Sequence, residues 1–157
     1  MKASLLLKKI KNNIKNYPIE HLRKNTDESI FNKDLELIRP KDILIQMATF
    51  NSNNYDEILS LELKEDFEID DNKIKDIKEK IDYYFSVYAP NDKIYGDFVG
   101  NISLYLALIV KKPFHPIGMR FTQGYSVFYK NGKYYCSGKT KFLKEKNSLC
   151  KYCVCNE

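Results

Sequence analysis

The sequence predicts a mainly helical domain that ends in a β-hairpin, α+β by a strict count of elements. Three observations carry that expectation. Apolar residues recur at helical spacing over 3–17 and 71–88. An Asn131-Gly132 pair sits between two β-rich runs near the carboxyl terminus, the strongest short hairpin signal. The chain has 157 residues, enough for one domain with one sizeable core. The expected organisation is a single domain over 1–157, with a helical part over 1–110 and a hairpin plus cysteine-rich end over 111–157.

The elements follow in order. Over 3–17, Leu6, Ile10, Ile14 and Tyr17 share one side, Lys8, Lys11 and Lys15 point away, and Pro18 stops the helix. A basic amphipathic helix of this length is expected to dock in the core and not to lie on a membrane. Asp27-Glu28-Ser29 reads as the start of a short helix through Leu37. Pro40 suits the first position of another, carrying Ile43, Leu44, Met47 and Phe50. Asn51-Ser52-Asn53-Asn54 reads as a polar turn, with a further helix from Tyr55 to Leu63.

The best-patterned segment runs from Asp71 to Tyr88. Ile74, Ile77, Ile81, Tyr84 and Tyr88 form a seam of alternating three- and four-residue steps. Asp71–Lys75 and Asp76–Lys80 place acid before base at the favourable helical spacing. Only about two heptads are present, so an intramolecular helix pair is expected. A second strong helix is expected after Ala89-Pro90-Asn91-Asp92, running to about Val110. Gly96, Gly100, Ser103 and Ala107 make a stripe of small residues along it. Glycine costs a helix interior about 1 kcal/mol relative to alanine, so the stripe implies a close neighbour, here the 71–88 helix folded back through Pro90. Pro113-Phe114-His115-Pro116 cannot continue a helix. Tyr125–Tyr129 and Lys133–Cys136 are the hairpin arms, 137–149 reads as a loop, and Ser148–Cys153 as a final helical turn.

Aromatic residues at 13% argue against disorder. No uninterrupted apolar run reaches the ~18 residues of a membrane span, and the first residues lack a signal-peptide pattern. A cytoplasmic protein is therefore expected. The net charge of +5 is uneven: residues 41–100 carry 7 basic and 14 acidic side chains, residues 101–157 carry 10 and 2. The basic end calls for an anionic partner, either RNA, an acidic protein surface, or the acidic middle of the same chain. Tyr125, Phe128, Tyr129, Tyr134 and Tyr135 interleave there with Lys130, Lys133 and Lys139, as a stacking and phosphate surface would, although strand alternation turns about half of these aromatics inward. Only three of the 26 basic residues are arginine, which favours non-specific attraction over base readout.

All four cysteines, Cys136, Cys150, Cys153 and Cys155, lie in the last 22 residues. Without a secretory signal they read better as metal ligands or reactive thiols than as a disulfide framework. Cys150 and Cys153 can aim two sulfurs at one point, and the hairpin end supplies Cys136. Tetrahedral zinc needs a fourth donor, either His115 or Cys155. His115 is preferred, because Pro116 stiffens its loop while Cys155 lies near the chain end and is read as alternating away from Cys153. An iron–sulfur cluster on the same ligands is the alternative. Ser137-Gly138-Lys139-Thr140 mimics the end of a phosphate-binding loop, but the earlier glycine is out of register and no apolar helix follows. His21, beside Arg23, is expected to be exposed. No catalytic motif appears, so the reading leans towards a non-enzymatic binding or assembly module, with a redox protein or metalloenzyme as the alternative and an assembly chaperone as a third.

Lys112-Pro-Phe-His-Pro-Ile-Gly-Met119, Asn131-Gly-Lys-Tyr-Tyr-Cys136 and Leu149-Cys-Lys-Tyr-Cys-Val154 resemble a family of small uncharacterised proteins from methanogenic archaea. The resemblance covers about the last third of the chain. It implies a His-Pro element and three cysteines as a ligand set, which fall on His115, Cys136, Cys150 and Cys153, with Cys155 an addition. It implies no activity. An anaerobic archaeal cytoplasm would keep thiols reduced and would suit iron–sulfur chemistry.

Overall fold

A computed structural model describes residues 1–157 and bears out the mainly helical architecture, with six α-helices and one antiparallel hairpin near the carboxyl end. Helix α1 (Ala3–Ile14) buries Leu6, Ile10 and Ile14 on the side their spacing dictates. Its start is fixed by the 61–70 segment: the Ala3 N–H donates to the Phe67 carbonyl at 2.8 Å and the Ile69 N–H to the Met1 carbonyl at 2.8 Å. The short α2 (Ile19–Arg23) follows Pro18 and leaves His21 exposed. Asp27 caps one 3-10 turn, Glu28–Asn32, by accepting from the Ser29 N–H at 3.0 Å. That turn ends short of Leu37, with Lys33 already extended (φ −73°, ψ 137°).

Helix α3 (Pro40–Ser60) corrects the reading of two helices split at Asn51–Asn54. An asparagine run signals a turn when its amides look to the local backbone. Here two of the three have long-range partners. Asn51 donates to the Tyr95 hydroxyl at 3.0 Å and Asn53 to Glu28 at 2.9 Å, so the helix continues for 21 residues with Asn51, Ser52 and Asn54 buried.

Helices α4 (Asp71–Tyr88) and α5 (Lys93–Leu104) form the expected antiparallel pair around the Pro90 turn. Ile74, Ile77 and Ile81 are buried, whereas Tyr84 and Tyr88 stand exposed beyond the seam. The two stripe glycines do face α4, with unequal clearance. A Cβ at Gly96 would lie 3.0 Å from Phe85 Cγ, and one at Gly100 would lie 3.5 Å from Ile81 Cγ2. Opposite signs are therefore expected. Gly100→Ala should stabilise by up to about 1 kcal/mol through helix propensity. Gly96→Ala should destabilise by about 1 kcal/mol, because overpacking against the ring base outweighs the same gain. Urea unfolding of the two variants measures both.

After α5 the chain passes without a break into a π-helical stretch, Tyr105–Val110, and stops at Lys111 in the left-handed region (φ 54°). Counted across Lys93 and Asp97, the continuous segment Lys93–Val110 has the length and composition of a membrane span, although no uninterrupted apolar run within it is that long. Most of it is buried inside the protein, and Leu104 to Ile109 join α1 and Ile58 of α3 in the principal core.

Strands β1 (Val127–Lys130) and β2 (Lys133–Cys136) pair as expected, with Val127 opposite Cys136 and Phe128 opposite Tyr135. Asn131 (φ 52°) and Gly132 (φ 78°) supply the two left-handed positions a tight hairpin turn demands. The preceding ribbon is locked to α3 by Gln46, whose buried amide accepts from the Arg120 N–H at 3.0 Å and donates to the Arg120 carbonyl at 3.1 Å. Residues 137–149 are not wholly loop: α6 (Lys139–Leu143) forms one helical turn, with Phe142 edge-on to Tyr125.

Candidate functional site

The carboxyl-terminal residues are placed by three local structures. Cys136 ends β2 on the same face as Val127, the inward one. Cys150 opens a 3-10 turn, Cys150–Tyr152, where its N–H donates to Ser148 Oγ at 3.1 Å. The chain then runs extended beside β2, with the Cys136 N–H donating to the Asn156 carbonyl at 3.0 Å and the Asn156 N–H to the Tyr134 carbonyl at 2.8 Å. Asn156 bridges Tyr135 in parallel register. Cys155 therefore shares the inward face with Cys136.

All four cysteines are free thiols, and they fall within each other's electrostatic reach. The neighbouring Cys155 thiol lowers the Cys153 pKa, and Cys153 in turn raises that of Cys155. The backbone at Cys155 and Phe114 lowers the Cys153 pKa further, against the opposing effect of burial. Burial raises the pKa of Cys150. Lys139 holds the segment in place by donating to the carbonyls of Cys153 at 2.7 Å and Cys155 at 2.5 Å. The lysine of the Ser-Gly-Lys-Thr decoy is thus an anchor for the cysteine strand.

The reading of Cys155 as turned away from Cys153 needs correction. In extended backbone it is neighbours that alternate, while residues two apart share a face. Cys153 is extended (φ −75°, ψ 136°), and the two thiols shift each other's pKa. His115 lies beside Phe114, on the same loop, with its ring edge-on to Phe121 at 5.0 Å between centroids. Burial among apolar groups pulls its pKa to about 4, so at neutral pH it is an uncharged imidazole with a lone pair available. No group of three or more His, Cys, Asp or Glu side chains is drawn together at the spacing of a metal cage.

The segment is moored to the helical part through Asp76 of α4. Asp76 accepts from the Tyr152 hydroxyl and pairs with Lys151 at 3.0 Å, contacts that lower the carboxyl's pKa. Lys80 donates to the Lys146 carbonyl at 2.6 Å. At the other end of the junction, Glu57 accepts from the buried Tyr105 hydroxyl at 2.7 Å and from Lys112 at 2.9 Å.

The burial of His115 has a measurable consequence. Above pH 6.5 the ring is neutral folded or unfolded and contributes nothing. Between about 6.5 and 4 the unfolded chain takes up a proton that the folded one refuses, so stability falls, and below about 4 the loss levels off. The full shift corresponds to about 3 kcal/mol, and the ring's partial contact with water reduces the expected loss to about 2 kcal/mol. In urea titrations of chelator-treated protein, His115→Leu should flatten stability against pH across that window.

The fold and site define a helical domain with a carboxyl-terminal hairpin and four free cysteines in its last 22 residues. The chain belongs to the DUF2115 family, described as an uncharacterized protein conserved in archaea, whose model matches residues 2–157. It is similar to the UPF0305 protein MJ0646 of Methanocaldococcus jannaschii, 31% identical over 160 residues that span 99% of this chain and 96% of that one. The UPF0305 protein MmarC6_0221 of Methanococcus maripaludis is 37% identical over 93 residues, 59% of this chain and 56% of that one. A UPF0305 protein of Methanothermobacter thermautotrophicus is 26% identical over 87 residues, 55% and 53% of the two chains. No solved structure matches. The expected membership of an archaeal family from methanogens is met.

Proposed function

We propose that the carboxyl-terminal third is a metal-binding module of a non-enzymatic, cytoplasmic binding or assembly protein, with zinc held by Cys136, Cys150 and Cys153. The observation that supports this most is that all four cysteines fall in the last 22 residues, on three local structures, with Cys136 and Cys153 in electrostatic reach of both Cys150 and Cys155. Thiolates are the donors zinc prefers in structural sites, and a set of three thiols with a fourth at hand suits it. Cys155 is the better fourth donor because it shares the inward face with Cys136 and perturbs the Cys153 thiol. His115, next to Phe114, whose backbone lowers the Cys153 pKa, is the other candidate. When bound, the metal would supply cross-linking of hairpin, 3-10 turn and terminal strand. The protein's own contribution is to bring the sulfurs together and to fix the strand through Lys139.

Metal analysis with an absorbance spectrum on anaerobically purified protein tests the proposal. About one zinc per chain is expected, lost in Cys136→Ala and Cys155→Ala and retained in His115→Ala. Loss in His115→Ala with retention in Cys155→Ala would reassign the fourth donor, and iron with sulfide absorbance would replace zinc by a cluster. Absence of any metal would overturn the module.

The mutual perturbation of the Cys153 and Cys155 thiols favours one second reading, a thiol redox pair. The Cys153 thiolate would attack a low-molecular-weight disulfide and expel one thiolate. Cys155 sulfur would then displace the second thiol, leaving a Cys153–Cys155 disulfide and two reduced small thiols. Metal-free protein that consumes one equivalent of disulfide, with both thiols lost to alkylation, would mark this reading.

A further inference from the structure

We propose that the outer face of the β1–β2 hairpin binds single-stranded RNA, with Phe128 and Tyr135 stacking on bases and Lys130 and Lys133 meeting phosphates. Strand alternation and register sort the hairpin into two faces. Val127, Tyr129, Tyr134 and Cys136 lie on one, which runs from the buried Val127 and the thiol cluster to the turn. Phe128, Lys130, Lys133 and Tyr135 lie on the other. On that outer face the rings of Phe128 and Tyr135 are stacked, 5.4 Å between centroids and 14° apart in plane. Phe128 is 41% exposed, and both lysines are exposed. Residues 127–136 contain no acidic side chain. A near-parallel pair of rings flanked by two cations, in reach of solvent, has the components of a base-stacking and phosphate surface.

The structure also separates an external anion from the chain's own acidic middle. Of the ten basic residues in 101–157, two pair with acids, Lys112 with Glu57 and Lys151 with Asp76. Lys130, Lys133, Lys144 and Lys146 form no ion pair, and Arg120 and Lys139 are spent on backbone carbonyls. The positive charge of the hairpin is therefore left for another molecule. Between two anionic partners, the ring pair decides for nucleic acid: carboxylates need no flat apolar platform, whereas unpaired bases do. The lysines, with no arginine fork on this face, suit contact that tolerates any sequence.

The test is fluorescence anisotropy of the reduced, as-purified protein with a labelled oligouridylate of about 12 nucleotides, from about 50 to 200 mM salt. Binding that weakens steeply with salt is expected. Phe128→Leu and Tyr135→Leu should each weaken it about tenfold while leaving most of the salt slope. Lys130→Gln with Lys133→Gln should lower the slope of log affinity against log salt by about 1.4, two phosphate contacts' worth. Unchanged circular dichroism and unchanged metal content show that the variants keep the fold. No binding at the low-salt end, ring variants that bind like the parent, or a polyglutamate peptide held as tightly as the RNA would each overturn the proposal.

Discussion

Zinc content should fall from about one per chain to none in Cys153→Ser, and with it the amide protection of residues 133–157, while the helical circular dichroism hardly changes. Two arguments set the size and the locality of this effect. Structural zinc contributes on the order of 10 kcal/mol to small peptides that it folds, which is far more than the hairpin and a 3-10 turn can gather from their own contacts. The principal core, however, is built by Ile10, Ile58, Ile77 and Tyr105, all fully buried, and none of these is a residue of the 111–157 part. Loss of the metal should therefore loosen the end of the chain and spare the bundle. Hydrogen exchange with and without a chelator reads the difference directly. A cooperative collapse of both parts, or unchanged exchange at 133–157 after metal removal, would contradict it.

Ile10→Ala should destabilise the whole molecule by about 3–4 kcal/mol, the largest effect expected of a single core truncation here. Ile10 has no exposed surface and sits on the face of α1 that meets α3, α5 and the π-helical stretch. The deleted atoms leave a void lined by side chains from separate elements, which cannot collapse around it without moving a helix. For a chain of this length the melting temperature should fall by about 10 °C. Leu5→Ala, five residues earlier in α1 and half-exposed, should cost less than about 1 kcal/mol. Calorimetry on the two variants checks the contrast.

The sequence made the regular elements legible wherever one periodicity governed them. Leu6, Ile10 and Ile14, then Ile74, Ile77 and Ile81, are buried as their spacing demands, and Asn131-Gly132 makes the turn it promised. The pattern misled where side chains are satisfied at long range. Asn51 to Asn54 look like a turn until Tyr95 and Glu28 are beside them, and both partners lie far off in the chain. Tyr84 and Tyr88 continue the seam of α4 on paper, but at this end Phe85 is the residue that meets α5, at Gly96, and the two tyrosines stand exposed.

The candidate site was half legible. The cysteine cluster was visible from composition alone. The place of Cys155 was not, because it depends on the parallel register with β2, although Cys-x-Cys in extended backbone already implies two sulfurs on one face. The anchoring part of Lys139 carried no signal of its own, since backbone carbonyls as acceptors leave no trace in a sequence pattern. The π-helical stretch and the left-handed Lys111 were equally silent.

The mooring at Asp76 bears on how the molecule folds. Tyr152 and Lys151 reach it across a loop of about 75 residues, so the contact can form only after a large closure entropy has been met, whereas the α4–α5 hairpin closes across a few residues. The bundle should thus assemble first and present Asp76 and Lys80 as a prepared landing strip. The carboxyl-terminal third would dock last and, by the same ordering, detach first. During synthesis it also emerges after the bundle, so the order in which these parts are made and the order in which they close coincide.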